Sequence, residues 1–529
     1  MPVLSKRLEQ IRTAENLAGL ADLTRGVEKE SLRVSKQGTL SKTAHPSALG
    51  AALTHPNITT DYSEALLEFI TPPEKNINNI INKLNDLHTF TYQHIGDESL
   101  WVNSMPCILN KDADIPIARY GNSNSGSMKS IYRLGLGHRY GRSMQTIAGI
   151  HFNFSVSDNL WEFLHKTDAS NLPITSYKTE GYLKLIRNFR RYFWLLLYLF
   201  GAAPAVCSSF IKGREHSLEP IKNDPDTLHK PYATSLRMGD LGYQSSAQES
   251  LTTTYNNIDD YIKTLCDAIT KQHSDYSAIG IKDSSGNYQQ LNDCLLQIEN
   301  EFYSVIRPKR TAKSGQTALN ALKNGGIEYI EVRCLDLNPF EDVGINKQQI
   351  QFLDIFLLYC LLEDSPLSDE RENQNILQNQ KRMVYEGRKP NLMLHYYDKE
   401  RPASQWSQEI MGKLEAIAEM IDTHNNTSNY QNSLKIEQQK LDDPSRTPSA
   451  KIVAELNRDN ISFYQLAMKY SLANREHFIN QQLPSTTAAN YKQMATASLK
   501  KQKEIEAADT SINFEQYLEN YYKEYNCCT

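Results

Sequence analysis

The sequence predicts an α+β fold in which an antiparallel sheet comes first and a mainly helical region follows. The sheet is predicted by segments that alternate polar and apolar residues with a period of two, at residues 25–34, 149–156 and 326–335. Such alternation favours an antiparallel sheet with unlike faces, because parallel strands are usually buried on both faces. Beyond Glu363 the sequence is typical of charged helices, of which residues 491–509 are the clearest. We therefore expect an α+β core over residues 1–362 with a helical region over residues 363–529 docked on it.

Two strongly apolar segments are predicted to be buried helices. Residues 351–362 read QFLDIFLLYCLL, and residues 192–200 read YFWLLLYLF. The second is the most apolar stretch of the chain, yet it is far shorter than the roughly 20 residues that a bilayer requires. We therefore expect no membrane partner. The first turns of the chain have a helical apolar rhythm without an uninterrupted apolar core, so a secretory signal is not expected.

Composition excludes some classes of partner and favours one compartment. Lysine and arginine total 57 and aspartate and glutamate total 62, which gives a net charge of −5. This balance argues against nucleic acid as the main partner, because phosphate binding usually needs a clustered basic excess. The eight cysteines include no CxxC pair, so reduced thiols and a cytoplasmic location are expected. Cys527 and Cys528 are assigned no role.

Carboxylates recur at positions where burial is expected. Glu28 and Glu30 are two residues apart, so on a strand both project from one face. A solvated strand face would explain that pair by itself. Glu68 lies between Leu66 and Ile70 on one face of an apolar strand in residues 59–72, where a lone carboxylate would be costly to bury. Asp61 lies just upstream of it.

The segment at residues 326–335 repeats this pattern with a cation added. It places Tyr329, Glu331 and Arg333 on one strand face. A structural salt bridge explains Glu331 and Arg333 equally well when this strand is considered alone. Taken together, however, the acidic segments would repel one another unless cations lie between them. Oxygen ligands favour a hard divalent ion, so we predict a multi-carboxylate Mg²⁺ site suited to phosphoryl transfer.

Nucleotide phosphates would have to be held without the usual glycine-rich loops. The sequence contains no GxxxxGK[ST] loop and no GxGxxG after a strand. Metals and arginines would then hold the phosphates, and the candidates are Arg133, Arg237, Arg333 and the basic run at residues 307–310. His151 and Asn153 share one face of the strand at residues 149–156. A lone histidine there is more often structural, but Asn153 and Gln145 favour a polar cleft wall.

Several segments together resemble one enzyme family. They include RGVEKESLRV, THPNITTDYSEALLEFITP, YGNSNSG, YGRSMQTIAGIHFNFS, HKPYATSLRMGDLGY and GGIEYIEVRCLDLNPF. In their order, across most of residues 24–362, they resemble glutamate–cysteine ligases of the bacterial type. Lys29 and Ser31 stand where the family pattern usually has Arg and Ala, and we expect their side chains to point away from the acidic face. After residue 363 the resemblance is limited to length, helical texture and the EGRKP segment.

The resemblance implies a glutamine-synthetase-like catalytic core, in which a curved antiparallel sheet forms the floor of a funnel. It implies ATP-dependent joining of the L-glutamate γ-carboxylate to the L-cysteine amine, the first step of glutathione synthesis. Mg²⁺, with Mn²⁺ as a substitute, would be held by the acidic residues Glu28, Glu30, Asp61, Glu68 and Glu331. The catalytic residues would be Arg333, Arg133 and His151. The substrate-binding residues would be Arg237, Asn153, Tyr132, Tyr243 and Tyr303.

Further expectations and the open alternatives complete the prediction. ATP is expected as co-substrate, glutathione as feedback inhibitor, and a monomer as the oligomeric state. The nearest alternative is a carboxylate–amine ligase of the same superfamily with another acceptor amine. A guanidino kinase, or a non-catalytic protein whose acidic cluster holds Ca²⁺, are the alternatives from other classes.

Overall fold

The computed structural model describes residues 2–12, 14–106, 108–109, 111–222, 224–241, 248, 251, 253–313 and 315–525. Its strands, numbered in chain order, are β1 Leu23–Val34, β2 Ile58–Thr60, β3 Leu66–Ile70, β4 Ser99–Leu100, β5 Ile150–Val156, β6 Ala205–Cys207, β7 Glu219–Ile221, β8 Asp224–His229, β9 Ile306–Lys309, β10 Tyr329–Leu335, β11 Met393–Tyr396 and β12 Lys399–Pro402.

The helices are numbered in the same way. They are α1 Val3–Ile11, α2 Ala14–Ala21, α3 Ile77–Tyr92, α4 Asn124–Tyr140, α5 Asp158–Thr167, α6 Ile174–Tyr192, α7 Trp194–Phe200, α8 Ile258–Thr270, α9 Ser274–Ile279, α10 Ala318–Gly325, α11 Lys347–Leu362, α12 Glu370–Glu386, α13 Ala403–Asn425, α14 Asn429–Asp442, α15 Pro448–Asp459, α16 Phe463–Asn480, α17 Ser485–Ala508 and α18 Phe514–Lys523. No helix in the described ranges is long and apolar enough to cross a membrane.

The main sheet has the order β2-β3-β1-β5-β10-β9, with β4 paired to the end of β1. Every pair of neighbours in it is antiparallel. The predicted α+β fold with an antiparallel sheet is therefore confirmed. The three predicted strands correspond to β1, β5 and β10, and the segment containing Glu68 supplies β2 and β3 with Asp61 in the turn between them.

The two faces of the sheet differ as the alternation predicts. On β5, Ile150, Phe152 and Phe154 lie in the apolar core, while His151 and Asn153 occupy the opposite face. On β1, Lys29 lies on the core side, where its Nζ is 2.8 Å from both Ser31 Oγ and His88 Nε2 of α3. The two departures from the family pattern, Lys29 and Ser31, thus interact with each other beneath the sheet.

Two element boundaries differ from the prediction. Strand β10 begins at Tyr329, because Gly326 ends α10 with a φ of 70° that favours glycine. The apolar segment at residues 192–200 is divided, since α6 ends at Tyr192 and α7 begins at Trp194. The helices predicted within residues 351–362 and 491–509 are present as parts of α11 and α17.

The region after residue 362 packs against the sheet layer through a buried charged group. Arg25 of β1 forms an ion pair with Asp354 of α11, with Nη2 and Oδ2 2.7 Å apart. The Tyr430 hydroxyl of α14 lies 3.2 Å from Arg25 Nη2 and 3.1 Å from Asp354 Oδ2. This contact joins the first strand to two helices from distant parts of the chain. The division of the chain at residue 362 stays a prediction.

Candidate functional site

Strand register brings the predicted acidic residues onto one face of the sheet. Glu30 of β1 is opposite Glu68 of β3, and Glu28 of β1 is opposite His151 of β5. Glu331 of β10 is opposite Asn153 of β5. Directly opposed residues in antiparallel strands project from the same face. Side chains separated by about 300 positions in the sequence therefore meet at one place.

His151 lies at the centre of this acidic face. Its Nδ1 is 3.3 Å from Glu28 Oε2 and 3.7 Å from Glu331 Oε1. Its Nε2 is 3.7 Å from Glu30 Oε1. One ligand atom each from Glu28, His151 and Glu331 lies within 4.8 Å of the others, which is compatible with a shared metal ion. The sequence prediction put His151 among the catalytic residues. The geometry also places His151 among the residues that could bind a metal ion. In the sequence, the alternation of His151 and Asn153 with apolar residues on β5 was the pattern that indicated its position on this face.

Two carboxylates on this face ionise with difficulty. Burial raises the pKa of Glu68 well above its ordinary value, and the nearby Glu28, Asp61 and Glu30 raise it further. Burial and Asp61 likewise raise the pKa of Glu30, even though His151 opposes the shift. Glu30 Oε2 also accepts a 2.6 Å hydrogen bond from the Gly149 backbone N–H. Burial and neighbouring carboxylates therefore both disfavour the ionised forms of Glu30 and Glu68.

The pKa values of Glu28 and Glu331 are instead lowered. Burial opposes their ionisation, but the pKa of Glu28 is lowered by its hydrogen bond with His151. The pKa of Glu331 is lowered by Lys309, Arg333 and His151. Arg333 Nη1 is 3.2 Å from Glu331 Oε1, and Lys309 Nζ is 3.7 Å from Glu331 Oε2. Glu331 thus stands at the border between an acidic and a basic part of the sheet face.

The basic run at residues 307–310 divides between two environments. Arg307 and Lys309 alternate on β9 opposite Glu331 and Tyr329, so they face the site. Arg310 instead donates a 2.6 Å hydrogen bond to the Gly326 carbonyl, at the end of α10. The sequence prediction did not distinguish Lys309 from the other residues of this run. The pairing of β9 with β10 shows that Lys309 faces the site.

A cavity beside the acidic face contains several of the predicted residues. Its lining includes Asp61, Tyr132, Arg133, Gln145, Glu301, Tyr303 and Arg333. The Arg133 Nε–H donates to the Asp61 carbonyl, and its guanidinium carbon lies 4.6 Å from the centre of the Tyr120 ring. The Gln145 amide donates a 3.1 Å hydrogen bond to the Tyr303 hydroxyl. The cavity therefore combines four tyrosines and three arginines with Asp61, a carboxylate from the acidic face.

Arg237 lies behind this cavity and is completely buried. Its Nη2 donates a 2.9 Å hydrogen bond to the Arg333 carbonyl, and its Nη1 is 3.8 Å from Asp336 Oδ1. The guanidinium also lies against Gly149, where a Cβ atom would overlap it. Arg237 thus connects the backbones of β10 and of the segment before β5. Tyr243, the remaining predicted residue, lies outside the described residues.

Four buried polar atoms on the sheet face lack a hydrogen-bond partner within the described ranges. They are Glu331 Oε2, Asn153 Oδ1, His151 Nε2 and Arg307 Nε. Asn153 Nδ2 donates a 2.8 Å hydrogen bond to Glu28 Oε1. This bond orients the amide, so that the Asn153 Oδ1 acceptor has no partner. Buried polar atoms normally have partners. The two oxygens and the ring nitrogen are ligand atoms suited to a cation, and the Lys309 ammonium lies 3.7 Å from one of them, Glu331 Oε2.

Comparison with known proteins gives a consistent result over nearly the whole chain. The model of the glutamate–cysteine ligase family matches residues 8–383. A glutamate–cysteine ligase from Saccharophagus degradans is 51% identical over 516 residues, covering 97% of each chain. A glutamate–cysteine ligase from Alcanivorax borkumensis is 50% identical over 526 residues, covering 99% of this chain and 100% of its own.

Solved structures agree with this result. The crystal structure of glutamate–cysteine ligase from Francisella tularensis in complex with AMP has a TM-score of 0.89 and 37% identity, covering 96% of this chain and 99% of its own. A bifunctional glutathione synthetase from Pasteurella multocida has a TM-score of 0.68 at 24% identity, covering 92% of this chain and 57% of its own, and indicates the fold alone.

Proposed function

Because the chain belongs to the glutamate–cysteine ligase family, we propose that it joins the γ-carboxylate of L-glutamate to the amine of L-cysteine with consumption of ATP. The product is γ-glutamylcysteine, with release of ADP and phosphate, the first step of glutathione biosynthesis. The observation that carries this proposal is the convergence of Glu28, Glu30, Glu68 and Glu331 on one sheet face beside Arg333.

The donor set of this face fits Mg²⁺. Carboxylate oxygens are the ligands that hard divalent ions prefer, and one histidine nitrogen is compatible with them. Glu28, His151 and Glu331 would hold an ion, and Glu30, Asp61 and Glu68 would supply further oxygen ligands. The unpaired Glu331 Oε2 supports this arrangement. Bound Mg²⁺ would neutralise charge on the phosphate oxygens of ATP, and Mn²⁺ is an alternative ion.

The chemistry requires activation of a poor electrophile. An ionised carboxylate resists attack by an amine, and transfer of the ATP γ-phosphoryl group to the γ-carboxylate gives γ-glutamyl phosphate with a good leaving group. Arg333 and Lys309 lie on the basic side of Glu331, where they would stabilise charge on the transferring group. Arg133 borders the same cavity from α4. No enzyme nucleophile is needed, so the cysteines have no catalytic role in this proposal.

The substrates divide between two sides of the site. His151 and Asn153 would line the glutamate and phosphate region, and Arg237 would hold the glutamate α-carboxylate, as the family resemblance implies. The tyrosine-lined cavity beside Arg133 would hold the acceptor amino acid. The acceptor amine, with an ordinary pKa of roughly 8, must lose a proton before it attacks the acyl carbon. Phosphate or a carboxylate of the acidic face would accept that proton.

The proposal is tested by ADP release at fixed glutamate and ATP with the acceptor amine varied. Cysteine should drive ADP and phosphate release in equal amounts, while alanine and ammonia should not. Release driven equally by another amine would favour the alternative ligase. A persistent phosphorylated product without free phosphate would favour the guanidino kinase, and tight Ca²⁺ binding without ATP turnover would favour the non-catalytic protein. A Glu331→Gln variant is measured in the same assay, and any ADP release that it shows is the contribution of contaminating ATPase activity.

The proposal has three further parts. Feedback inhibition by glutathione follows from the family resemblance, a monomeric state is expected, and a cytoplasmic location follows from the cysteine pattern without a CxxC pair. Initial rates with added glutathione test the inhibition, sedimentation tests the oligomeric state, and cell fractionation tests the location.

A further inference from the structure

The last two helices of the described chain contact the helix that carries Tyr132 and Arg133. We call residues 502–525 the C-terminal clamp. At the start of α4, Asn124 Nδ2 donates a 2.8 Å hydrogen bond to Asp509 Oδ1, and the Asn124 backbone N–H donates to the same carboxylate. Glu506 Oε1 accepts a 2.9 Å hydrogen bond from the Asn122 backbone. The first N–H groups of a helix lack partners within the helix, so these acidic side chains stabilise the position of α4.

The apolar face of α18 extends this contact along α4. Leu518 of α18 belongs to a small buried cluster with Met128 of α4 and with Leu291 and Ile298. Tyr132 packs against this cluster from α4. Tyr132 of α4 and Tyr522 of α18 pack against the main core as well. Tyr132 and the C-terminal clamp thus share one apolar cluster.

A second contact joins the clamp to the segment at residues 297–303. The Tyr522 hydroxyl donates a 2.9 Å hydrogen bond to the Gln297 carbonyl and accepts a 3.0 Å hydrogen bond from Asn292 Nδ2. The Tyr525 hydroxyl donates to the Glu299 carboxylate. Both tyrosine hydroxyls therefore hold the backbone or a side chain of one short segment.

That segment forms a wall of the tyrosine-lined cavity. Gln297 Nε2 donates a 3.1 Å hydrogen bond to the Tyr132 carbonyl, and the Gln297 backbone N–H donates a 2.7 Å hydrogen bond to Glu301 Oε2. Glu301 also accepts a 2.7 Å hydrogen bond from the Tyr140 hydroxyl. Its ion pair with Arg139, at 3.0 Å, is completely buried. Only Gln297 separates the Tyr522 hydroxyl from Tyr132 and Glu301, which both line the cavity.

We infer that Tyr522 is a positioning residue for the acceptor amino acid, acting through Gln297 on Tyr132 and on the segment that carries Tyr303. This inference rests on the proposed function, which places the acceptor in that cavity. The clamp lies beyond residues 8–383, the part matched by the family model. In the proposed function glutamate and ATP bind at the acidic face, whose residues Glu28, Glu30 and Glu68 are not in the cavity lining. Loss of the Tyr522 hydroxyl therefore alters acceptor binding and leaves the binding of glutamate and ATP unchanged.

The test compares Tyr522→Phe with a matched control on the same helix. Tyr522→Phe keeps the ring in its cluster and removes only the hydroxyl. We expect the KM for cysteine to rise about threefold to tenfold, the size that one lost hydrogen bond produces. The kcat and the KM values for glutamate and ATP should stay within about twofold, because none of their contacts change. Tyr517→Phe is the control, since the Tyr517 hydroxyl makes no hydrogen bond within the described ranges. It should leave every constant unchanged.

The thermal unfolding midpoint is measured for each variant so that a purely structural role is recognised. A lower midpoint in Tyr522→Phe with an unchanged KM for cysteine overturns the inference. Should Tyr522→Phe not fold, the same kinetic constants are measured in Asp509→Asn and Tyr525→Phe. These variants remove the contacts of the clamp with Asn124 and with Glu299. No cysteine-dependent ADP release from the unsubstituted enzyme would instead overturn the proposed function, and the inference with it.

Discussion

Glu30 on β1 and Glu68 on β3 lie directly opposite each other in adjacent antiparallel strands. Like charges in that position destabilise a sheet, because the side chains of an opposed pair are only about 5 Å apart at Cβ. Burial adds to the cost and raises the pKa of both carboxyls. The sheet therefore places two buried carboxyls where the ionisation of both is unfavourable.

Glu68→Gln should raise stability and abolish activity. Removing the Glu68 charge relieves its repulsion with Glu28, Asp61 and Glu30, so the unfolding midpoint in EDTA should increase. ADP release at saturating Mg²⁺ should fall by about 100-fold or more, as for loss of a group that stabilises transition-state charge. Differential scanning fluorimetry and a coupled assay measure the two effects. Near-normal turnover would remove Glu68 from the metal site.

A matched control for Glu68→Gln is available nearby. Glu64→Gln makes the same chemical change, but Glu64 accepts backbone hydrogen bonds from His45 and Arg119, both at 2.6 Å. It should lower the free energy of unfolding by about 1–3 kcal/mol, since bonds to a charged acceptor are lost. The two variants should therefore shift the midpoint in opposite directions.

Glu331→Gln should also abolish ligation but with the opposite effect on stability. The Glu331 carboxylate faces Arg333 and Lys309, so its removal leaves two cations without that partner. We expect the fold to stay intact by circular dichroism and the unfolding midpoint in EDTA to fall. ADP release should drop by about 100-fold or more. An unchanged or higher midpoint would contradict the assignment of Glu331 to the border between the acidic and basic parts.

The sequence was sufficient for the faces of the strands but not for their register. Period-two alternation in β1, β5 and β10 correctly separated Glu28, Glu30, His151 and Glu331 from the apolar side. No local pattern places Glu68 opposite Glu30, because the register of β1 against β3 depends on the long connection at residues 35–65. Tyr522 was missed, and Lys309 was predicted only as part of the basic run at residues 307–310, since long-range packing gives both residues their neighbours. The roles of the site residues remain predictions.

Gly149→Ala should impair glutamate use. A Cβ atom at Gly149 would overlap the completely buried Arg237 guanidinium, so the guanidinium must shift to make room. Displacing it should lower kcat/KM for glutamate by about 100-fold, the effect of a misplaced binding group. Steady-state kinetics at varied glutamate measure this change.

Gly412→Ala is the control for that substitution. Gly412 lies on the exposed side of α13 with open space around it. It should leave the kinetics unchanged and stabilise the protein by about 1 kcal/mol through helix propensity. Equal kinetic constants for Gly149→Ala and the parent would exclude the proposed role of the Arg237 position.

His55 should make the protein less stable in acid. Its Nδ1 accepts hydrogen bonds from the Asn57 and Ile58 backbones at 3.1 and 2.9 Å, so it must be unprotonated there. Burial, with a contribution from Lys83, lowers the pKa of His55 to about 4. The unfolded chain, with a pKa near 6.5, then binds the proton more tightly than the folded chain. The stability from this group is complete above about pH 6.5 and is lost as the pH falls toward 4, amounting to on the order of 2 kcal/mol by pH 5.

His55→Asn separates this effect from ordinary packing. The amide oxygen of asparagine can accept the same two hydrogen bonds without titrating in this range. Urea unfolding at pH 7.5, 6 and 5 should show a flatter pH dependence than in the parent. His45 and His88, whose pKa values burial also lowers, will keep part of the slope in both proteins. Identical slopes would show that His55 titrates normally in the folded state.

The order of strands in the main sheet has a consequence for synthesis of the chain on the ribosome. Glu28, Glu30, Asp61 and Glu68 leave the ribosome together, whereas Lys309 and Arg333, which face them from β9 and β10, follow only after roughly ten seconds or more of elongation. During that interval the β1–β3 pair can meet Arg133 but still lacks Lys309 and Arg333, which offset part of its charge in the complete sheet. Pairing of β1 with β3 is therefore electrostatically less favourable in the nascent chain than in the finished protein.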